Sequence, residues 1–223
     1  MSEGPDPAVS GLRVVVTAGG TREPIDPVRF IGNRSSGKMG NELAAAALAH
    51  GAEVTLVTAA PPPAEQGGLT VVTVETADQM HAAVRTALVG ARVLIMAAAV
   101  ADWRPRDYAP HKLKKGADTM SIDLVPTVDI LRSLRDDDAA NGVYVVGFAA
   151  ETEHVIDNAR AKLEAKHLDL VIVNDVSRAD IGMGADDNEV TVIGRDGTLV
   201  TIGRAPKSVV ADAIVRIILS RLS

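Results

Sequence analysis

Short apolar runs alternate with helical patterns along this chain, and that alternation limits the folds open to it. Residues 13–17, 53–58, 70–75, 93–97, 143–148 and 168–173 are rich in Val, Ile and Leu, each the length of a buried strand. Helical patterns lie at 36–50, 77–88, 128–135 and 153–166. Strands that alternate with helices make βαβ units, which build a parallel sheet with helices on both faces. Near the C-terminus, 189–193 and 198–202 flank Arg195-Asp196-Gly197, a hairpin signal. Residues 120–124 read as a further strand. A last helix begins near Pro206, a good first-turn residue, and buries Val210, Ile214, Ile217 and Ile218 at helical spacing. The expected fold class is α/β: a doubly wound, mostly parallel sheet with a C-terminal β-hairpin extension.

Composition fits this. A length of 223 residues suits one sizeable domain, and 47% hydrophobic residues fill a core. Aromatics are only 2%, so Val, Ile, Leu and Ala fill it, as in buried parallel strands. A net charge of −6 argues against a nucleic-acid surface. The absence of cysteine removes disulfides and thiolate metal sites and is compatible with a reducing cytosol. No apolar run reaches membrane-spanning length, and residues 1–10 lack the basic and apolar regions of a signal peptide. Residues 1–10, with Gly4, Pro5 and Pro7, read as a disordered lead-in or a junction, and 11–223 as a single domain.

One stretch is more than a connector. Between the first strand and first helix lies TAGGTREPIDPVRFIGNRSSGKMG, residues 17–40. Gly19 and Gly20 have no Cβ to keep a ligand from the backbone, and Pro24 and Pro27 stiffen the middle. Ser35, Ser36 and Gly37 then open a helix, whose free N–H groups and positive dipole end attract a phosphate or a carboxylate. Gly32 to Met39 nearly matches the P-loop pattern, with Met39 in place of the magnesium-binding hydroxyl. A P-loop follows its strand directly, however, and a long loop intervenes here. A nicotinamide site fits poorly. Gly19-Gly20 is not G-x-G-x-x-G, strand two ends without an acidic ribose ligand, and Pro110 separates Tyr108 from Lys112.

Past strand four, residues 102–115 are polar and proline-broken, with Arg104, Arg106, Lys112, Lys114 and Lys115 against Asp102 and Asp107. The segment leaves the carboxyl end of a strand, where open α/β sheets bind ligands, and such a lysine loop can fold over polyphosphate as a lid. Asp102 there suits a divalent cation, a sugar hydroxyl or a turn. Phe148 at a strand terminus suits either the core or a base. Lys162 and Lys166 lie one helical turn apart, an arrangement whose default is solvent. The five histidines show no metal-ligand spacing.

Five ordered segments carry a resemblance: residues 19–40, AAAVADWR at 97–104, KLKK at 112–115, GFAAET at 147–152 and VNDV at 173–176. Together, over about residues 12–222, they resemble bacterial phosphopantothenoylcysteine synthetase, a Rossmann-like α/β ligase. The resemblance implies that the chain couples 4′-phosphopantothenate to L-cysteine with CTP and Mg²⁺, in coenzyme A synthesis. The carboxylate would attack the α-phosphate and expel pyrophosphate. Cysteine's amine would then attack the acyl-cytidylate and expel CMP.

By that resemblance Lys112 neutralises nucleotide phosphates and Asn33 orients the acyl-cytidylate. Met96, Ala97, Ala98 and Asp102 match nucleotide-contacting positions, with Asp102 also the metal ligand. So do Val128, Asp129, Ile130, Leu131, Phe148, Lys162 and Lys166. Gly19, Arg29, Arg34, Ser35, Ser36 and Gly37, with Asn33 and Ala98, match the acid substrate's site. The resemblance further implies a cytoplasmic homodimer that shares this site between subunits. It also implies a flavin-dependent decarboxylase half, which these residues do not contain, and no nucleic-acid or membrane partner. Two other classes stay open: a P-loop-like NTPase, which would depend on Lys38, and a nucleotide-binding module without chemistry.

Overall fold

The computed structural model describes residues 11–116, 119–135, 137–151, 153–175 and 184–222. The N-terminal lead-in expected at 1–10 lies outside them. In chain order the elements are β1 (Arg13–Ala18), β2 (Arg22–Pro24), β3 (Phe30–Gly32), α1 (Lys38–Ala49), β4 (Glu53–Thr58), β5 (Leu69–Thr73), α2 (Ala77–Ala87) and β6 (Val93–Met96). There follow β7 (Trp103–Pro105), β8 (Leu124–Pro126), α3 (Ile130–Leu134), β9 (Tyr144–Glu151), α4 (Val155–Ala165), β10 (Leu170–Asp175), β11 (Asp187–Gly194), β12 (Leu199–Pro206) and α5 (Lys207–Leu219).

Eight strands form one sheet in the order β12-β11-β10-β9-β6-β1-β4-β5. From β5 to β10 every neighbouring pair is parallel; β11 and β12 add on antiparallel. Counted along the chain, the parallel strands stand in the order 3-2-1-4-5-6, that of a dinucleotide-binding fold. The order reverses between β1 and β6, and ligands bind beyond the carboxyl ends of strands at such a reversal.

Alternation along each strand sends side chains to opposite faces. Val14, Val16, Val54, Leu56, Val93 and Ile95 pack under α1 and α5. Val15, Val57, Leu94 and Met96 face the other way, with α2 and α3. Farther along that second face, Ala149, Val171 and Val173 pack with α4. Each fully buried Leu or Ile here contributes about 1.5–3 kcal/mol from apolar surface removed from water.

The helices are set by their ends. A capping box of Thr76 and Gln79 starts α2. Helix α1 closes with the Gly51 N–H on the Leu48 carbonyl and the Ala52 N–H on the Ala47 carbonyl. It begins at Lys38, two residues later than sequence spacing suggests. Gly37 takes a left-handed φ of 79°, and a Cβ there would stand 2.5 Å from that of Ala60. The chain must turn sharply at Gly37 before the helix can begin, so Ser35 and Ser36 stay outside it.

Two small antiparallel ribbons were not legible as strands, because three-residue strands leave no periodic signal. One is β2–β3, inside the stretch expected to be a ligand-binding loop; the other is β7–β8. The strand expected at 120–124 is displaced accordingly: pairing begins only at Leu124, opposite Pro105. Helix α4 starts at Val155 rather than 153.

Candidate functional site

Past β6 the chain runs over the reversal point as residues 97–102, and its main-chain groups are bonded one by one. The Ala98 N–H donates to Thr17 Oγ1 (3.1 Å) and the Ala101 N–H to Thr21 Oγ1 (2.8 Å). Thr127 Oγ1 donates to the Ala101 carbonyl (2.5 Å). The Ala99 N–H donates to the Gly19 carbonyl (2.8 Å), and the Thr21 N–H returns to the Ala99 carbonyl (3.2 Å). Thr17 and Thr21 are wholly buried. Buried polar groups need partners, and a hydroxyl that both donates and accepts suits that place. Asn33 joins from above, its Nδ2 donating to the carbonyls of Ala99 (3.3 Å) and Val100 (3.1 Å).

Here the reading of the glycine pair needs correction. A Cβ on Gly20 would stand 2.6 Å from the Asn33 carbonyl oxygen. The bare backbone at Gly20 lets residue 33 return across the strand ends; it packs chain on chain rather than chain on ligand.

Below this arch lies a cavity of about 590 Å³, the size of a small-molecule site. Its floor includes Met96, Ala97, Ala98 and Asp102 from the end of β6, and one side carries Val128, Asp129, Ile130 and Leu131. Phe148, Lys162 and Lys166 close that side. Opposite stand Asn33, Ser35, Ser36 and Gly37, with the start of α1. The first residues of α1, Lys38 to Gly40, line the cavity, and with no side-chain cap and no acidic residue in the first turn its free N–H groups and dipole are left for a ligand there.

The cationic side chains differ in setting. Lys162 is half-buried and donates to the Phe148 carbonyl (2.6 Å). Burial pulls its ammonium below the usual lysine range; Glu151 opposes that and Lys166 adds to it. Lys166 pairs with Asp129, which also accepts the Arg132 N–H at the head of α3 (3.1 Å). Burial acts to raise the Asp129 carboxyl, but Lys166 and that N–H outweigh it and hold the group below its ordinary value. The default of solvent for these two lysines does not hold: both line the cavity.

Lys38 and Lys207 also line it. Lys38 pairs with Asp186 (2.6 Å), and Lys207, 8% exposed, donates to the main-chain carbonyls of Ala185 and Asp187. Lys207 was missed in the sequence. The available signal was a cation at the first position of a helix, where the dipole disfavours one.

Other expected site residues stand outside the cavity in a single chain. Gly19 lies behind the lining, and Arg34 is exposed beside Asn33. Arg29 sits at the tip of the β2–β3 ribbon, paired with Asp26. Lys112 is exposed on the segment lying against that tip. The structure therefore gathers Asn33 with the nucleotide set and leaves Lys112 with Arg29.

Among the described residues no three His, Asp or Glu side chains converge to hold a metal. Asp102 is exposed where it lines the cavity, and one carboxylate suits Mg²⁺ when a substrate's phosphates supply further oxygens. No helix among those residues is long and apolar enough to cross a membrane.

Comparison with known proteins agrees with this fold. The chain is 41% identical over 213 residues to the Coenzyme A biosynthesis bifunctional protein CoaBC of Vibrio cholerae, covering 93% of this chain and 52% of that protein. Against the same-named protein of Bacillus subtilis it is 44% identical over 190 residues, covering 85% and 46%. It thus spans about half the length of these curated relatives. A crystal structure of the C-terminal domain of a Coenzyme A biosynthesis bifunctional protein CoaBC superimposes with a TM-score of 0.79 at 38% identity, covering 97% of this chain and 98% of that one. Residues 9–222 match the family described as DNA/pantothenate metabolism flavoprotein C-terminal domain (DFP), and the chain belongs to that family.

Proposed function

We propose that this chain is a phosphopantothenate–cysteine ligase that uses CTP and Mg²⁺ and works through an acyl-cytidylate. The observation that carries the reading is the cavity at the strand-order reversal, which brings Asn33, the α1 N-terminus, Asp102, Phe148, Lys162 and Lys166 to one place. The relatives named for coenzyme A biosynthesis support a substrate from that pathway.

In this reading the nucleotide lies between Phe148 and the 128–131 segment, and Asp102 would hold Mg²⁺, whose positive charge would offset that of the phosphates. A carboxylate oxygen of 4′-phosphopantothenate attacks the α-phosphorus. The bond to the β-phosphate breaks, and pyrophosphate leaves with its electron pair. Negative charge builds as two anions meet, and cations that are already in place lower that barrier. Lys162, Lys166 and the α1 N-terminus are those groups in this chain, and a second copy would bring Lys112 to join them. The neutral amine of L-cysteine then attacks the acyl carbon. The bond from that carbon to the phosphate oxygen breaks, CMP leaves, and the nitrogen's extra proton goes to water. Asn33 fixes the 99–100 arch over the cavity and holds the acyl group for this second attack.

Arg29 lies at the tip of the β2–β3 ribbon and Lys112 on the segment lying against that tip, both outside this chain's own cavity, so a second copy completes the site. Val28, Phe30, Trp103, Tyr108 and Leu124 are exposed on or beside the two ribbons, and an apolar patch of this kind marks a contact surface. The working form is accordingly a homodimer. A cytoplasmic location and a decarboxylase partner half belong to the same reading.

The test is pyrophosphate release. With CTP, Mg²⁺ and 4′-phosphopantothenate, a burst of about one pyrophosphate per site is expected without cysteine, and steady turnover with it. Phosphate release from nucleotide alone, lost on Lys38→Ala, would point to an NTPase. Nucleotide binding with no pyrophosphate would point to a module without chemistry.

A further inference from the structure

Lys112, Lys114 and Lys115 are exposed and have no hydrogen bond or ion pair among the described residues. Leu113, in their midst, is held at both main-chain groups. Its N–H donates to Asp26 Oδ2 (3.1 Å), and its carbonyl accepts from Arg29 Nη2 (2.7 Å). The Ala109 N–H adds a bond to the Ile25 carbonyl (3.0 Å).

Asp26 is a turn residue by position, but the turn uses only one of its oxygens. Oδ1 accepts the N–H groups of Val28 (2.8 Å) and Arg29 (2.9 Å). Oδ2 accepts Arg29 Nε (2.9 Å) and Nη2 (2.5 Å), and reaches the Leu113 N–H, 87 positions along the chain. The Asp26 side chain is fully buried at this junction. A carboxylate that closes a turn has no need of that long-range bond. The ribbon bearing Asp26 is itself fixed to the body. Glu23 Oε1 accepts the N–H of Ala77, the first residue of α2 (2.8 Å), and the Arg22 N–H donates to the Glu75 carbonyl (2.8 Å).

Hydrogen bonds thus tie Glu23 to α2 and, three residues along the same ribbon, Asp26 to the residue next to Lys112. A free lysine on a loop carries much conformational entropy, and fixing its neighbour's main chain removes part of it beforehand. We infer that Asp26 is a positioning residue for the ligation, clamping the Leu113 main chain and so setting where the Lys112 ammonium stands. The inference rests on the role given to Lys112 above.

The test is single-turnover pyrophosphate release by the full chain and by Lys112→Ala, Asp26→Asn and the double variant. Asparagine keeps an acceptor for the turn but sets an NH₂ group against Arg29 and the Leu113 N–H. Asp26→Asn is expected to slow release about ten- to a hundredfold, as small misplacements of a reacting group do, with CTP binding little changed. The double variant is expected to be no slower than Lys112→Ala alone, since both changes act through one group. Asp26→Asn at the wild-type rate, or effects that multiply in the double variant, would overturn the clamp and leave the Lys112 role standing. Lys112→Ala at the wild-type rate would overturn that role and this inference with it. Amide exchange in the unaltered protein needs no variant to fold: the Leu113 N–H is expected to exchange more slowly than those of Lys112, Lys114 and Lys115, and equal rates would overturn the clamp.

Discussion

Two buried carboxyl groups on one ribbon have their pKa values displaced in opposite directions. The Arg29 guanidinium holds the Asp26 carboxyl well below the usual range, against the opposing effect of burial and with help from the N–H groups of Val28, Leu113 and Arg29. Its stabilising effect is therefore present above the ordinary carboxylate range near pH 4 and fades as pH falls toward its own lower value. Burial raises Glu23, and the Ala77 N–H offsets only part of that. Its contribution runs the other way, fully present at low pH and lost as pH rises through its raised value. Asp26→Asn should therefore lower Tm at pH 7, with a gap to wild type that narrows below about pH 4. Glu23→Gln, uncharged throughout, should hold or raise Tm at pH 7. Melting curves from pH 3 to 8 check both. In the cavity, Lys162→Met should weaken CTP binding about ten- to a hundredfold, the loss of a hydrogen bond to a charged group. Calorimetric titration reads it, and an unchanged Kd would remove Lys162 from the nucleotide site.

At the scale of elements, Gly37 sets where α1 begins and so where its N–H groups point. An L-residue there meets a left-handed penalty of roughly 1–2 kcal/mol, besides the close approach to Ala60. Gly37→Ala should lower unfolding free energy by at least about 1 kcal/mol in urea and weaken CTP binding, since α1's first turn would shift. The parallel strands were legible because strands buried on both faces read as unbroken Val, Ile and Leu runs. The start of α1 was not: Ser35 and Ser36 look like caps, and only the position of Ala60, brought near by β4, shows that the turn falls at Gly37. Spacing alone did not place Lys162 and Lys166 at the cavity, for a similar reason. One-turn spacing says that they share a face, but which face is decided by β9 and α3. Lys207 is buried by residues 185–187, which its own neighbours in sequence do not announce.

Over the whole molecule, the strand order places one crevice at the reversal between β1 and β6, and the apolar ribbons project from that same end. A chain that worked alone would leave Phe30 and Trp103, each 52% exposed, in water. Sedimentation equilibrium should show a dimer, and Phe30→Asp should shift it toward monomer and slow turnover; a wild-type monomer at working concentration would contradict the shared site. The central claim is that this crevice charges a carboxylate with a cytidylyl group and then hands it to an amine. It is tested most directly by rapid quench with mass detection of the acyl-cytidylate, in wild type and Asn33→Ala, before and after a cysteine chase. The intermediate should form in both and be consumed rapidly only in wild type. Its absence from wild type supplied with CTP, Mg²⁺ and 4′-phosphopantothenate, while amide still forms, would contradict the account.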